Sequence, residues 1–206
     1  MQRELLACGS LYSASGQRKY LNHDERRRFI AAALSWPHPR VTSLCLVLAY
    51  TGCRISEALG LTEGCIEWQS GCIAIRSLKK RKKLVVVRQV PVPPLCTKAL
   101  KSAHQLPGSN PDQRLWGWSR SRAWQLVKAV MQKALIAPGI HASPKGLRHG
   151  FGLHAVRSGV PLNMIQRWLG HASLTTTAIY LQAMGTEEHA IAMRMWCPAE
   201  RRQRSP

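Results

Sequence analysis

The stretch CIAIRSLKKRKKLVVVRQVPVP, residues 72–93, decides the fold class. Before it the apolar residues follow a helical period. Within it that period lapses and β-branched residues dominate. Two such runs, CIAIRSL and LVVVRQVPVP, flank the basic pentapeptide KKRKK at 79–83. This pattern predicts a hairpin with a basic tip. With CIEW (65–68) as a further strand, it predicts a small three-stranded antiparallel sheet.

Outward from the sheet the chain reads as helical. In LNHDERRRFIAAAL (21–34), Asn22 can cap a helix and Glu25 completes a capping box. Phe29, Ile30, Ala33 and Leu34 form its apolar face, and Pro37 and Pro39 end it. Val41, Leu44, Cys45 and Leu48 repeat at i, i+3, i+4 and i+7, which predicts a buried second helix. TGCRISEALGL (51–61) breaks at Gly52 and restarts as a short helix at Arg54. After Pro93 and Pro94 a helix is expected at about 95–105. Another follows Ser119, with Trp124, Val127, Val130, Met131, Ala134 and Leu135 on its apolar face. Four short helical pieces then follow, at 144–158, 161–169, 173–183 and 186–196. The expected fold is mainly α (α+β): one helical domain over 21–196 with a small three-stranded antiparallel sheet. A flexible basic arm is expected at 1–20 and a basic tail at 197–206.

The 206 residues carry 30 Lys and Arg against 10 Asp and Glu, a formal charge of +20. Such an excess repels itself unless a polyanion is the working partner, which points first to nucleic acid. A membrane is the weaker reading, because the longest apolar run, SLCLVLAY (43–50), is well short of about 18 residues. The N-terminus lacks the apolar region of a secretory signal. Seven cysteines, never spaced as CxxC, read as reduced thiols rather than a zinc site or a disulfide frame. A cytoplasmic, nucleoid-associated protein is expected.

LGHASLTTTAIY (169–180) poses a further question. At about 100° per residue, Leu174, Ala178 and Leu181 make one apolar stripe, and Tyr180 points roughly 120° away from it. A tyrosine off the packed face, nine residues after His171, invites a chemical reading. Two other segments concentrate suitable residues. Arg54 and Glu57 stand at i, i+3 on one helix. SPKGLRHGFGLH (143–154) carries Lys145 and Arg148 at the start of a helix, where free N–H groups favour phosphate.

Taken in order, TGCRISEALGL, SLKKRKK, RQVPVP, SPKGLRHGFG and LGHASLTTTAIY resemble the catalytic domain of the tyrosine recombinases, the phage integrase family. The resemblance covers roughly residues 20 to 196. It implies a site-specific recombinase that cuts and rejoins DNA through a 3′-phosphotyrosine. It places the family's first arginine on Arg54 and its acidic support on Glu57. The hairpin lysine falls within 79–83 and is placed on Lys79, with Lys80 and Lys82 competing. Lys80, Arg81, Lys82 and Lys83 are then DNA contacts. The box usually written His-x-x-Arg reads Lys-Gly-Leu-Arg here, so Arg148 is its arginine and Lys145 stands where histidine is commoner. His171 is the later histidine and Tyr180 the nucleophile. In length the chain is similar to the fimbrial phase-variation invertases. The implied partners are double-stranded DNA with paired recombination sites, further protomers in a tetramer on DNA, and accessory proteins.

The chemistry of these residue types agrees with that implication. Planar guanidinium groups grip the non-bridging oxygens of a phosphodiester and stabilise charge added in the transition state. A phenol with pKa near ~10 needs a positive site and a proton acceptor to attack. A lysine on a hairpin can protonate the leaving 5′-oxygen. Bond energy is conserved in the phosphotyrosine, so no cofactor and no metal are expected.

Alternative readings of the same residues remain open. Arg54 and Glu57 alone read as a surface ion pair, KKRKK as a solvated phosphate-binding tip, and His149, His141 and His154 as structural. The three threonines read as a cap and local packing. A catalytically weak relative acting as a DNA-binding or architectural protein, or a topoisomerase that also uses tyrosine, would share much of the pattern. The last helix, TEEHAIAMRMW (186–196), follows a hinge at Gly185 and can be capped by Thr186. It packs on its own domain or docks into a neighbouring protomer.

Overall fold

The computed structural model describes residues 10–77, 86–107 and 110–181. The hairpin tip with Lys79, Lys80, Arg81, Lys82 and Lys83, the helix expected at 186–196 and the basic tail lie outside the described residues.

Eight α-helices and one sheet make up the described fold. Helix α1 spans His23–Leu34. Asn22 accepts from the Glu25 amide, and the Glu25 carboxylate accepts from the Asn22 amide, so the expected capping box is present. Pro39 opens α2 (Pro39–Thr51), which is buried along almost its whole length and packs against α1. A short α3 (Ile55–Ala58) leads through a single 3-10 turn into the sheet. Strands β1 (Ile66–Glu67), β2 (Cys72–Arg76) and β3 (Val87–Pro91) pair antiparallel in the order β1-β2-β3. Ile73 faces Val90 and Ile75 faces Arg88 across the β2–β3 ladder. The sheet is the one the 72–93 pattern predicts.

The remaining helices are α4 (Pro94–His104), α5 (Arg120–Lys133), α6 (Pro144–Arg157), α7 (Leu162–Leu169) and α8 (Thr175–Ala178). Ser119 caps α5 and Ser143 caps α6, each accepting an amide of the first turn. Helix α2 also packs against α4 and α6. The larger core is built around α2 and the sheet, with Phe29, Leu44, Ile73, Leu100 and Val127 fully buried. A smaller second core lies between α6, α7 and α8 and includes Phe151, Ile165, Leu169 and Tyr180. Helix α6 divides the two, since Leu147 belongs to the first and Phe151 to the second. Among the described residues no helix is long and apolar enough to cross a membrane.

Three expectations are corrected. Residues 10–20, expected within a flexible arm, form a tight turn with a Tyr12–Arg18 bridge. Leu11 is buried in the second core, and Arg18 pairs with Glu25, so this segment is docked rather than loose. On α5 the apolar face is Ala123, Val127, Val130 and Met131. Trp124 is exposed under the Lys128 ammonium, and Leu135 lies beyond the helix end. Its left-handed φ of 53° swings the side chain into solvent.

The third correction concerns α8. Leu174 and Leu181, expected to pack, are exposed, whereas Thr177, Ile179 and Tyr180 are buried. A helical period has little meaning over a four-residue helix. The buried side is set by the slot that α6 offers instead. Gly152 forms that slot: an ideal Cβ there would lie 2.5 Å from Tyr180 Cζ. Gly152→Ala must therefore displace the ring or the helix. Overpacking of this kind costs about 1–3 kcal/mol, so the urea unfolding midpoint of this variant is expected to fall accordingly.

Candidate active site

Arg54 emerges where α2 ends. Gly52 closes that helix in a left-handed conformation, φ 60°. A Cβ at Gly52 would lie 2.5 Å from the Phe151 ring, so glycine is required on both counts. Two residues later Arg54 caps α3, and Glu57 in the first turn accepts the Arg54 amide at 2.9 Å. The other Glu57 oxygen accepts Arg54 Nη1 at 2.8 Å. This is not a surface ion pair, because the Glu57 side chain is fully buried while Arg54 is about a third exposed (32%).

Glu57 has a second cation that the sequence reading missed. Arg88 on β3 donates from Nη2 to Glu57 at 2.6 Å and from Nε to the Trp168 carbonyl at 2.7 Å. It is almost wholly buried. The signal was present in RQVPV: on the alternation of a strand, Arg88 shares a face with Val90 and Val92 and so points inward. Burial alone would push the Glu57 carboxyl up, but Arg88 and the Arg54 amide and side chain outweigh it and hold it below the usual carboxylate range.

Arg148 is set by α6. Its Nη1 donates to the Gly52 carbonyl and its Nη2 to the Leu169 carbonyl, each at 2.7 Å. It lies within electrostatic reach of Arg54, Tyr180, Glu57 and Arg88. Burial first, then Arg54, lower its guanidinium to about 10. A guanidinium has five N–H donors, so three remain beyond the two carbonyl bonds.

His171 follows the end of α7. Its Nδ1 pairs with Thr177 Oγ1 at 2.9 Å, so one of the three threonines orients the imidazole. Burial, then Arg148 and Arg54, push His171 down to about 3, which keeps it neutral. Its ring stacks on Tyr180, with centroids 6.3 Å apart and an interplanar angle of 18°.

Tyr180 is fully buried, which corrects the expectation of a hydroxyl held off the packed face. Burial raises it to about 12, against the pull of Arg148. The hydroxyl meets His149 Nδ1 at 3.2 Å, a partner to which the sequence assigned no chemistry. Lys145 stands exposed in the first turn of α6, one turn before His149. The structure thus gathers Arg54, Glu57, Arg148, His171 and Tyr180 in one place, adds Arg88 and His149, and puts Lys145 at the rim.

Removing the Glu57 carboxylate strands Arg88 as an uncompensated buried charge, so Glu57→Ala is expected to destabilise the protein by about 3–5 kcal/mol. The folded pKa of Glu57 is depressed, so its stabilising contribution is complete above the unfolded value near ~4.3. It is lost as pH falls through the folded value. The stability gap between the wild type and Glu57→Gln should therefore narrow in acid, measured by urea unfolding at pH 7 and in steps below pH 4.5.

Comparison with known proteins places this geometry. The phage integrase family pattern matches residues 19–187. The tyrosine recombinase XerD of Neisseria meningitidis serogroup B is 36% identical over 170 residues, covering 75% of this chain and 57% of that protein. The crystal structure of XerA recombinase superposes with a TM-score of 0.69 at 30% identity, covering 87% of this chain and 65% of that one. The catalytic domain of bacteriophage HP1 integrase shares the fold at 20% identity, with a TM-score of 0.62 over 90% of this chain and 98% of its own. The chain spans little more than half the length of the Neisseria relative, but the family pattern runs through nearly all of the described helices and the sheet, and this protein belongs to the phage integrase family.

Proposed function

We propose that the protein is a site-specific DNA recombinase that cleaves and rejoins strands through a 3′-phosphotyrosine on Tyr180. The observation that carries this reading is the convergence of the Arg54 and Arg148 guanidinium groups on the surroundings of a single tyrosine. A phosphodiester there meets the partly exposed Arg54 and the remaining donors of Arg148, which stabilise charge on the non-bridging oxygens. If the Thr177 hydroxyl donates to Nδ1, the neutral His171 presents Nε2–H to the same phosphate. Glu57 and Arg88 position Arg54 without touching substrate. Lys145 anchors the phosphate from the rim. Lys79 supplies the proton to the leaving 5′-oxygen, with Lys80 and Lys82 as competitors, and Lys80, Arg81, Lys82 and Lys83 contact the DNA backbone. The domain that does this is residues 21–196. Its partners are double-stranded DNA with paired sites, three further protomers in a tetramer on that DNA, and accessory proteins, in the cytoplasm at the nucleoid.

Tyr180 is fully buried in its slot. Its complete burial also supports a second reading, a DNA-binding relative without strand cleavage. The two separate on one experiment. Duplexes selected for binding from a random-sequence pool, nicked near the centre, trap a covalent adduct if cleavage occurs. The wild type is expected to form the adduct, mapping to Tyr180 by mass spectrometry. Tyr180→Phe is expected to form none while binding DNA within about twofold. Binding without an adduct in the wild type favours the second reading.

The charge of +20 makes a separate prediction about binding. Each neutralised phosphate contributes about −0.9 to the slope of log affinity against log salt. For several contacts the slope should be steeper than about −4, measured by fluorescence anisotropy between 50 and 300 mM salt. A slope near zero would contradict a DNA-facing use of the charge.

A further inference from the structure

We infer that His149 is the proton acceptor that activates Tyr180, its Nδ1 taking the phenolic proton as the tyrosine oxygen attacks phosphorus. The inference rests on the strand-cleaving reading of the site. Its foundation is the 3.2 Å contact between His149 Nδ1 and the Tyr180 hydroxyl.

The other groups around Tyr180 do not fit this task. Arg148 and Lys145 carry donor-only head groups. His171 lies nearly parallel to the phenol ring, and its Nδ1 is engaged by Thr177. The His149 ring is instead tilted by 58° against the phenol, with a nitrogen directed at the hydroxyl. Gly152 seats the ring from the same helix, so α6 supplies both the slot and the acceptor.

The surroundings of His149 also explain how substrate turns the base on. Without DNA, burial and then the cations Lys145, Arg148 and Lys19 hold the imidazole at about 4, a poor base. Lys145 and His149 stand at i, i+4 and share a face of α6. A phosphate arriving at Lys145 and Arg148 offsets the positive field on His149 and increases its basicity at the moment of attack. In the step itself the Tyr180 oxygen–phosphorus bond forms and the phosphorus–5′-oxygen bond breaks. The phenolic proton passes to His149, and the leaving 5′-oxygen takes a proton from the hairpin lysine. Religation runs the same path backwards, with His149 returning its proton to Tyr180.

The test uses the full 206-residue chain and the nicked duplexes recovered by selection. His149→Asn keeps a short polar side chain but cannot take up a proton. It is expected to bind the duplex as the wild type does and to form adduct at least about 100-fold more slowly. A substrate with sulfur as the 5′-leaving atom relieves only the acid, so it should not rescue His149→Asn. Adduct formation within about twofold of the wild type, or rescue by the sulfur substrate, overturns the assignment. A measurement on the unmodified protein guards against a variant that fails to fold. Nitrogen-15 NMR of labelled imidazoles, with His149 assigned by its response to Tyr180→Phe, should find Nδ1 unprotonated and accepting from the tyrosine. A proton resident on Nδ1 overturns the inference even if every variant is inactive. Absence of any adduct in the wild type instead removes the strand-cleaving reading, and this inference with it.

Discussion

Two carbonyl bonds made by one guanidinium organise the centre of this protein. Arg148 ties the Gly52 carbonyl at the end of α2 to the Leu169 carbonyl at the end of α7. The first precedes Arg54 by two residues and the second precedes His171 by two. Each lies at the negative end of a helix, where a cation is favoured. A charge so deeply buried is tolerable because these carbonyls satisfy it. Truncating Arg148 would therefore separate the elements that carry the rest of the site, as well as removing one group that can meet phosphate.

Arg88 repeats the device from the sheet. It donates to the Trp168 carbonyl, one residue before the Arg148 acceptor, and to Glu57. The end of α7 is thus gripped from both sides, by β3 and by α6. Glu57 sits between Arg88 and Arg54, so the hairpin strand and the Arg54 turn are coupled through one carboxylate. Three like charges are brought close with one buried anion among them. Burial first, and then nearby cations, keep His171 and His149 neutral, and the excess of positive charge around Glu57 suits an anion.

Against this cationic frame Tyr180 is held neutral and buried. Its ring occupies the space left by Gly152 and stacks on His171, and its hydroxyl meets His149. A buried phenol held neutral is a weak nucleophile. On the proposed strand-cleaving reading, reactivity depends on a phosphate that changes the field around it.

Much of this was determined by the sequence alone. The lapse of helical period at 72–93 set the sheet, Asn22 with Glu25 and Ser119 set helix starts, and the spacing of Arg54, Arg148, His171 and Tyr180 carried the family. The period and capping signals are local, decided by residues within one or two turns of each other, and the family signal is the order of separated motifs along the chain. Tertiary structure alone decided that Arg148 grips a carbonyl 96 residues away, that Arg88 shares the Glu57 carboxylate with Arg54, and that Tyr180 faces inward onto His149. No periodicity encodes these contacts. Helix α8 is too short for its own pattern to choose a buried side, so the choice falls to the missing side chain of Gly152 on another helix. Arg88 alternates correctly for an inward position, but only the carboxylate waiting there makes an inward arginine stable.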